Sequence, residues 1–233
     1  MKNLIAISIL TLIGFNSFAN ENAKKFTELL INEDIAVFRT SGESIIGEKI
    51  PIVTVTDLSK EFSNDLTKYE KTYDKQLVNI ITQASEVKTD LNGNPYIVAN
   101  GDNQSELVSI ELKNKDDAAN IRKGSELDLI CLGTKDNVRF PVLKDCVTTD
   151  SYFQKFFEMT MNNMSQLKVG DTPKDFFEYV YLSFKEFDIR NPGKLDEKKF
   201  DNDLDYMYET LDAVAYIFEE YKEEYIEFTM PNP

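Results

Sequence analysis

Residues 76–112 read QLVNIITQASEVKTDLNGNPYIVANGDNQSELVSIEL, and this stretch decides the fold. Leu77, Val78, Ile80, Ile81 and Val87 make Gln76 to Thr89 one long β-rich segment. It is far longer than the usual strand of about 5–6 residues, so it is expected to bend and to serve two sides of a barrel. Asp90-Leu91-Asn92-Gly93-Asn94-Pro95 follows as a dense turn signal. Asn-Gly supports positive φ, and Pro cannot continue a ladder as a donor. Tyr96 to Ala99 is the second strand, and Asn100 to Gln104 is a polar turn around Gly101. In the third strand, Leu107 to Leu112, Val108, Ile110 and Leu112 alternate against Ser109 and Glu111.

Downstream, Asp116 to Arg122 is a short helical segment ended by Lys123-Gly124. Leu127 to Gly133 is a fourth strand, and Pro141 to Val147 contains a fifth. The order β-β-β-α-β-β is that of the OB fold, a five-stranded Greek-key barrel. Upstream, Thr56 is placed to cap a helix from Leu58 to about Tyr69, with Leu58, Phe62 and Leu66 on one face. Ile50 to Val55 is extended around Pro51, and Glu21 to Asn32 fits a short amphipathic helix.

After residue 149 the period turns helical. Tyr152 to Leu167 carries Phe153, Phe156, Phe157, Met161 and Met164 on a broad apolar side, and Gly170 ends it. Thr172-Pro173 reads as an N-cap with Pro at the first helical position, opening a helix to about Phe187. Asn191-Pro192-Gly193 breaks the chain, and a last helix runs from Glu197 to about Phe228 with near-heptad apolar spacing. The fold class is therefore α+β: an OB-type barrel over 76–149, an N-terminal helical and extended segment over 20–75, and a helical domain over 150–233.

Met1 to Ala19 reads as a signal peptide: Lys2 is the basic start, Leu4 to Phe15 the apolar core, and Ser17-Phe18-Ala19 the small-residue cleavage pattern. The apolar run falls short of the roughly 20 residues that span a bilayer. The expected location is periplasmic or secreted, without a membrane span.

Lys and Arg number 26 against 41 Asp and Glu, giving −15. Removal of Lys2 with the leader takes the mature chain to −16, and the helical tail carries more than half of it. Affinity for nucleic acid comes largely from basic side chains meeting phosphate, so this balance opposes it. A basic protein or peptide suits it better. Histidine is absent. That removes the side chain most used for acid–base work near neutral pH, and with it His-ligated metals and His-based nucleophile systems. No other catalytic constellation stands out, and no cofactor or metal is expected. Asp201-x-Asp203-x-Asp205 imitates the start of a calcium loop, but Tyr206 stands where such a loop needs Gly.

Cys131 and Cys146 are the only cysteines, an even count that favours a disulfide in an exported chain. A tight turn at Asp136-Asn137 would place Cys131 opposite Pro141 and keep the sulfurs apart. A loop from Lys135 to Pro141 would place Cys131 opposite Cys146. Pro141 cannot donate to a ladder, which favours the loop.

Asn92-Gly93-Asn94-Pro95-Tyr96-Ile97-Val98, Lys123-Gly124, Cys131-Leu132-Gly133 and Pro141-Val142-Leu143-Lys144-Asp145-Cys146 together resemble the tRNA-anti-like family of bacterial exported OB-fold proteins. Leu58 to Asp74 resembles that family's leading helix. The resemblance implies an OB barrel and a small exported protein; it implies no activity.

OB barrels bind across strands two and three, between the loops that join strands one to two and four to five. On this chain that face holds Tyr96, Ser109 and Glu111, with Asn92 and Lys135 at its rims. The expected role is a non-enzymatic binding module for a protein, peptide or glycan of the envelope. A single-stranded nucleic acid binder and an envelope enzyme are the alternatives.

Overall fold

The computed structural model describes residues 2–43, 49–103, 105–200 and 204–221. The calcium-like Asp201 and Asp203, Gln104 of the polar turn, and the part of the last helix beyond Tyr221 lie outside the described residues. The chain divides into two compact units, one holding Val37–Phe156 and the other pairing Met1–Ala36 with Phe157–Thr229.

The first unit is a mixed α+β structure built on one seven-stranded sheet. Its strands are β1 (Ile52–Val53), β2 (Leu77–Gln83), β3 (Glu86–Thr89), β4 (Pro95–Asn100), β5 (Leu107–Leu112), β6 (Glu126–Thr134) and β7 (Val142–Thr148). Their order across the sheet is β1-β2-β6-β7-β5-β4-β3. The long segment of 76–89 is two strands, not one. Ala84 and Ser85 leave the run, and their amides bond in different directions, Ala84 to the Ser125 carbonyl at 2.9 Å and Ser85 to the Val98 carbonyl at 2.8 Å. The halves on either side of this bend pair with different partners, β2 with β6 and β3 with β4. The extra strand β1 arises where Ile52 and Val53 lie parallel to Asn79 and Ile80. The other parallel pair is β5 with β7, Ser109 opposite Val142 and Ile110 opposite Leu143.

Alternation builds the core. Val78, Ile80, Ile97, Ala99, Val108, Ile110, Leu127, Leu129, Cys131 and Leu143 are buried together, with Leu58, Phe62, Tyr69 and Tyr73 packed over them. Those last four come from two helices, not the single one expected: α2 (Val55–Asn64) and α3 (Leu66–Tyr73), with α1 (Lys2–Ser41) preceding them. Thr54, not Thr56, caps α2, its hydroxyl accepting from the Asp57 amide at 3.0 Å. Thr56 instead donates to the Glu106 carboxylate at 3.0 Å. Asp65 ends α2 and restarts the chain as the N-cap of α3, accepting from the Lys68 amide at 2.9 Å. A polar side chain that competes for backbone donors favours such a break.

Cys131 and Cys146 form the disulfide, with Cα atoms 4.2 Å apart and S–S 2.09 Å. Lys135 to Pro141 is a loop, as the pairing requires, and a bulge in β7 completes it. Leu143 and Cys146 are three residues apart and both face the core. The pairing slips by one between Ile130 opposite Val147 and Leu132 opposite Lys144, and Asp145 takes φ 51°. The extra residue turns Cys146 inward, which strict alternation would forbid.

The second unit is helical: α4 (Thr149–Ser165) ends in it, followed by α5 (Phe176–Arg190), α6 (Glu197–Phe200) and α7 (Leu204–Tyr221). Helix α5 starts at an Asp175 N-cap, three residues after the expected cap Thr172. The Asp175 carboxylate accepts from the Glu178 amide at 2.9 Å, and Glu178 reaches back to the Lys174 amide at 2.8 Å. This reciprocal pairing satisfies more donors than Thr172-Pro173 could. The α1 ring Phe26 stacks on Phe184 at 3.8 Å, and the Asn22 amide donates to Asp188 at 2.6 Å. The helix α1 is continuous across Ala19. Among the described residues, no helix is long and apolar enough to cross a membrane.

Candidate functional site

Strand register sorts the predicted site residues onto one face. Val98 stands opposite both Glu86 of β3 and Ser109 of β5, and Tyr96 stands opposite Lys88. Ile97 and Ala99 point the other way, into the core. The face away from the core therefore carries Glu86 and Lys88 from β3, Tyr96 and Val98 from β4, and Ser109 and Glu111 from β5. Tyr96 is half-buried, as is Glu111, whereas Ser109 is buried at 6 % exposure. Tyr96 thus belongs to the outer face and not to the core. Ser109 is recessed under its neighbours and offers a floor, not a contact tip.

Charges of both signs line this face. The Lys88 ammonium pairs with Glu86 at 2.7 Å, which holds the lysine above its ordinary range and Glu86 below its own. Lys144, from β7, pairs with Asp136 at 2.8 Å. That hydrogen bond raises the Lys144 pKa, the neighbouring Glu111 adds to it, and partial burial opposes both. At one end of the face, Gln83, Ser85, Glu86, Lys88, Val98 and Asn100 line an open cleft of about 560 Å³.

The two predicted rim residues differ. Asn92 is exposed in the turn before β4, where the Asp90 carboxylate accepts from the amides of Asn92 and Asn94, both at 2.8 Å. These backbone donors hold the Asp90 carboxyl below its usual range. The turn presents Leu91 fully to solvent. Lys135 is drawn to Asp74 at 3.0 Å, at the C-cap of α3. The exposed apolar tip of its loop is Val138 at 82 %. Sequence reading missed Leu91 and Val138, because exposure of a single apolar residue carries no periodic signal. It also missed Lys144, which alternates outward from buried Leu143 and nears Glu111 only because β7 pairs with β5.

No group of acidic or cysteine side chains among the described residues is placed to hold a metal ion.

No curated protein matches the chain. Solved structures do, at low identity. A protein described as a "putative nucleic acid-binding lipoprotein" from Klebsiella pneumoniae subsp. pneumoniae MGH 78578 is 13% identical, with a TM-score of 0.34, over 42% of this chain and 90% of its own. A protein described as a "putative aspartyl-tRNA synthetase" from Leishmania major Friedlin is 14% identical, with a TM-score of 0.28, over 40% of this chain and 19% of its own. Neither likeness is close enough to carry an argument. The tRNA_anti-like family model is a different matter, for it matches residues 2–147, which take in the whole sheet up to the last strand and both cysteines. The chain belongs to the tRNA_anti-like family.

Proposed function

We propose that this chain is an exported, non-enzymatic binding module whose sheet is an OB-type five-stranded barrel, and that its ligand is a protein, peptide or glycan of the cell envelope. Three observations support the barrel. The two ends of the β2-to-β3 sheet come from one bent segment, 77–89. The third and fifth barrel strands, β5 and β7, pair in parallel. A 3₁₀ helix, Lys115–Asn120, sits between the third and fourth strands. Export is supported by the leader pattern and by a disulfide, which persists in oxidising compartments.

The binding role rests on one observation: half-buried Tyr96 lies on an outer face that carries Lys88, Glu111 and Lys144 together. Single-stranded nucleic acid is held by stacked aromatics in a basic groove. Here cations and carboxylates alternate beside one aromatic ring, which suits a ligand offering both donors and acceptors.

The test is a titration of the purified chain with fluorescent single-stranded RNA and DNA over a salt series, beside capture of envelope partners by wild type and Tyr96→Ala. The expected result is no salt-steep nucleic acid binding, and a partner whose affinity falls about thirtyfold, ~2 kcal/mol, in Tyr96→Ala. Tight RNA or DNA binding that weakens steeply with salt would overturn the reading in favour of the nucleic acid alternative.

A further inference from the structure

Strand β3 ends the sheet: among the described residues it pairs with β4 alone. Antiparallel ladders alternate hydrogen-bonded and non-bonded pairs, which fixes where its other backbone groups point. The Asp90 amide bonds the Asn94 carbonyl at 2.9 Å, so that pair is a bonded one. Counting back along the register, Thr89 opposite Pro95 and Val87 opposite Ile97 are non-bonded pairs. The N–H and C=O groups of Val87 and Thr89 therefore point away from β4, along the free edge.

Strand β3 lines a cleft of about 620 Å³ on that side, which shares Lys123 with the cleft at the end of the outer face. Val87 and Thr89 line one wall; Ala118, Ala119 and Ile121 line the other. All four residues of β3 are exposed, and among the described residues no strand pairs with this edge. The rim carries Lys115, Arg122 and Lys123 against one acid, Asp116, in a chain of net charge −15. None of these three cations is in an ion pair among the described residues. Lys115 donates to the Asn94 side-chain carbonyl at 2.5 Å, and Arg122 donates to the carbonyls of Ala119 at 2.5 Å and Ile121 at 3.0 Å. Neutral oxygens thus fix two of the cations without cancelling their charge. Asp90 and Glu86 feel Lys115 and Lys123 respectively, from outside the cleft wall.

We infer that the free edge of β3 is a strand-addition site for an extended acidic peptide from a partner protein. The peptide backbone pairs with Val87 and Thr89, its alternate apolar side chains enter the cleft toward Ala118 and Ile121, and its carboxylates meet Lys115, Arg122 and Lys123. Edge pairing supplies affinity through main-chain bonds, and the flanking side chains select the sequence. The cations select acidic partners, and they oppose pairing of this edge with a second copy of itself. The site shares strand β3 and Lys123 with the outer face, but Tyr96, Ser109 and Glu111 do not line it.

The test uses the full chain and a fluorescent octapeptide of alternating Glu and Val. Amide exchange is read by NMR at Val87 and Thr89, and affinity by anisotropy. Three results are expected: slowed exchange at both amides, about tenfold weaker binding to the Lys115→Glu/Lys123→Glu double variant, and loss of binding when alternate peptide amides are N-methylated. Tyr96→Ala should leave this affinity unchanged, which separates failure here from failure of the outer-face reading. Unchanged exchange at Val87 and Thr89, equal binding of the N-methylated peptide, or equal binding of a Lys/Val octapeptide would each overturn the inference. So would concentration-dependent protection of the same amides without peptide, which would assign the edge to self-association.

Discussion

Gly133→Ala should be among the most damaging small substitutions in the sheet. A Cβ at Gly133 would lie 2.2 Å from the Tyr73 carbonyl oxygen and 3.1 Å from the Tyr73 Cβ. The oxygen is main chain, so no rotamer change relieves the clash. Separating the atoms to an ordinary contact needs about 1 Å, and overpacking of this kind costs roughly 1–3 kcal/mol. The movement would also strain two hydrogen bonds: Lys75 amide to Gly133 carbonyl at 2.8 Å, and Gly133 amide to Gln76 carbonyl at 3.0 Å. Each is worth about 1 kcal/mol, so the expected loss is about 3 kcal/mol. Gly93→Ala is the control. Its φ of 82° penalises a side chain, but its Cβ would meet nothing within 4 Å, so about 1 kcal/mol is expected. Urea unfolding followed by circular dichroism, with amide exchange over 129–134 to localise the loss, separates the two. Equal destabilisation by both variants would refute the argument that close approach of α3, not backbone conformation, requires glycine at 133.

Three further outcomes follow from the geometry. Reducing the Cys131–Cys146 bridge, which spans 15 residues of sequence, should cost roughly 3 kcal/mol in the sheet unit, measured by urea unfolding with and without reductant. The buried Tyr69 hydroxyl has no hydrogen-bond partner among the described residues, so Tyr69→Phe should stabilise by about 1 kcal/mol; a loss would show that the hydroxyl is satisfied. Burial raises the Asp188 carboxyl pKa, partly offset by the Asn22 hydrogen bond. The folded state thus binds the proton more tightly than the unfolded state. Asp188 therefore favours folding below the ordinary carboxylate range, and that contribution is lost as pH rises through the folded pKa. Amide protection in α5, taken relative to the intrinsic exchange rate at each pH, should rise on mild acidification in wild type, and this rise should shrink in Asp188→Asn.

Much of the sheet was legible because alternation is a local property. Leu107–Leu112 alternates cleanly and forms a strand with the expected ends. That Tyr96, Ser109 and Glu111 share one face followed from parity along two adjacent strands. Helix ends were less legible, since Thr54 and Thr56, or Thr172 and Asp175, are equally good caps on paper. Only the competing partners decided between them: Glu106 takes the Thr56 hydroxyl, and Glu178 completes the pairing at Asp175.

The sequence by itself determined the family, the strands at 95–100, 107–112, 126–134 and 142–148, the charge balance and the even cysteine count, all of which depend on residue type and spacing. The tertiary structure decided the rest. The Asp145 bulge sets which way Cys146 faces, because one inserted residue reverses parity. The bend at Ala84-Ser85 splits one segment between two partners and leaves the β3 edge open. The cations Lys115, Arg122 and Lys123 become a rim only when the 3₁₀ helix is laid beside that edge. Such juxtapositions join residues remote in sequence, and no local pattern of hydrophobicity or charge encodes them.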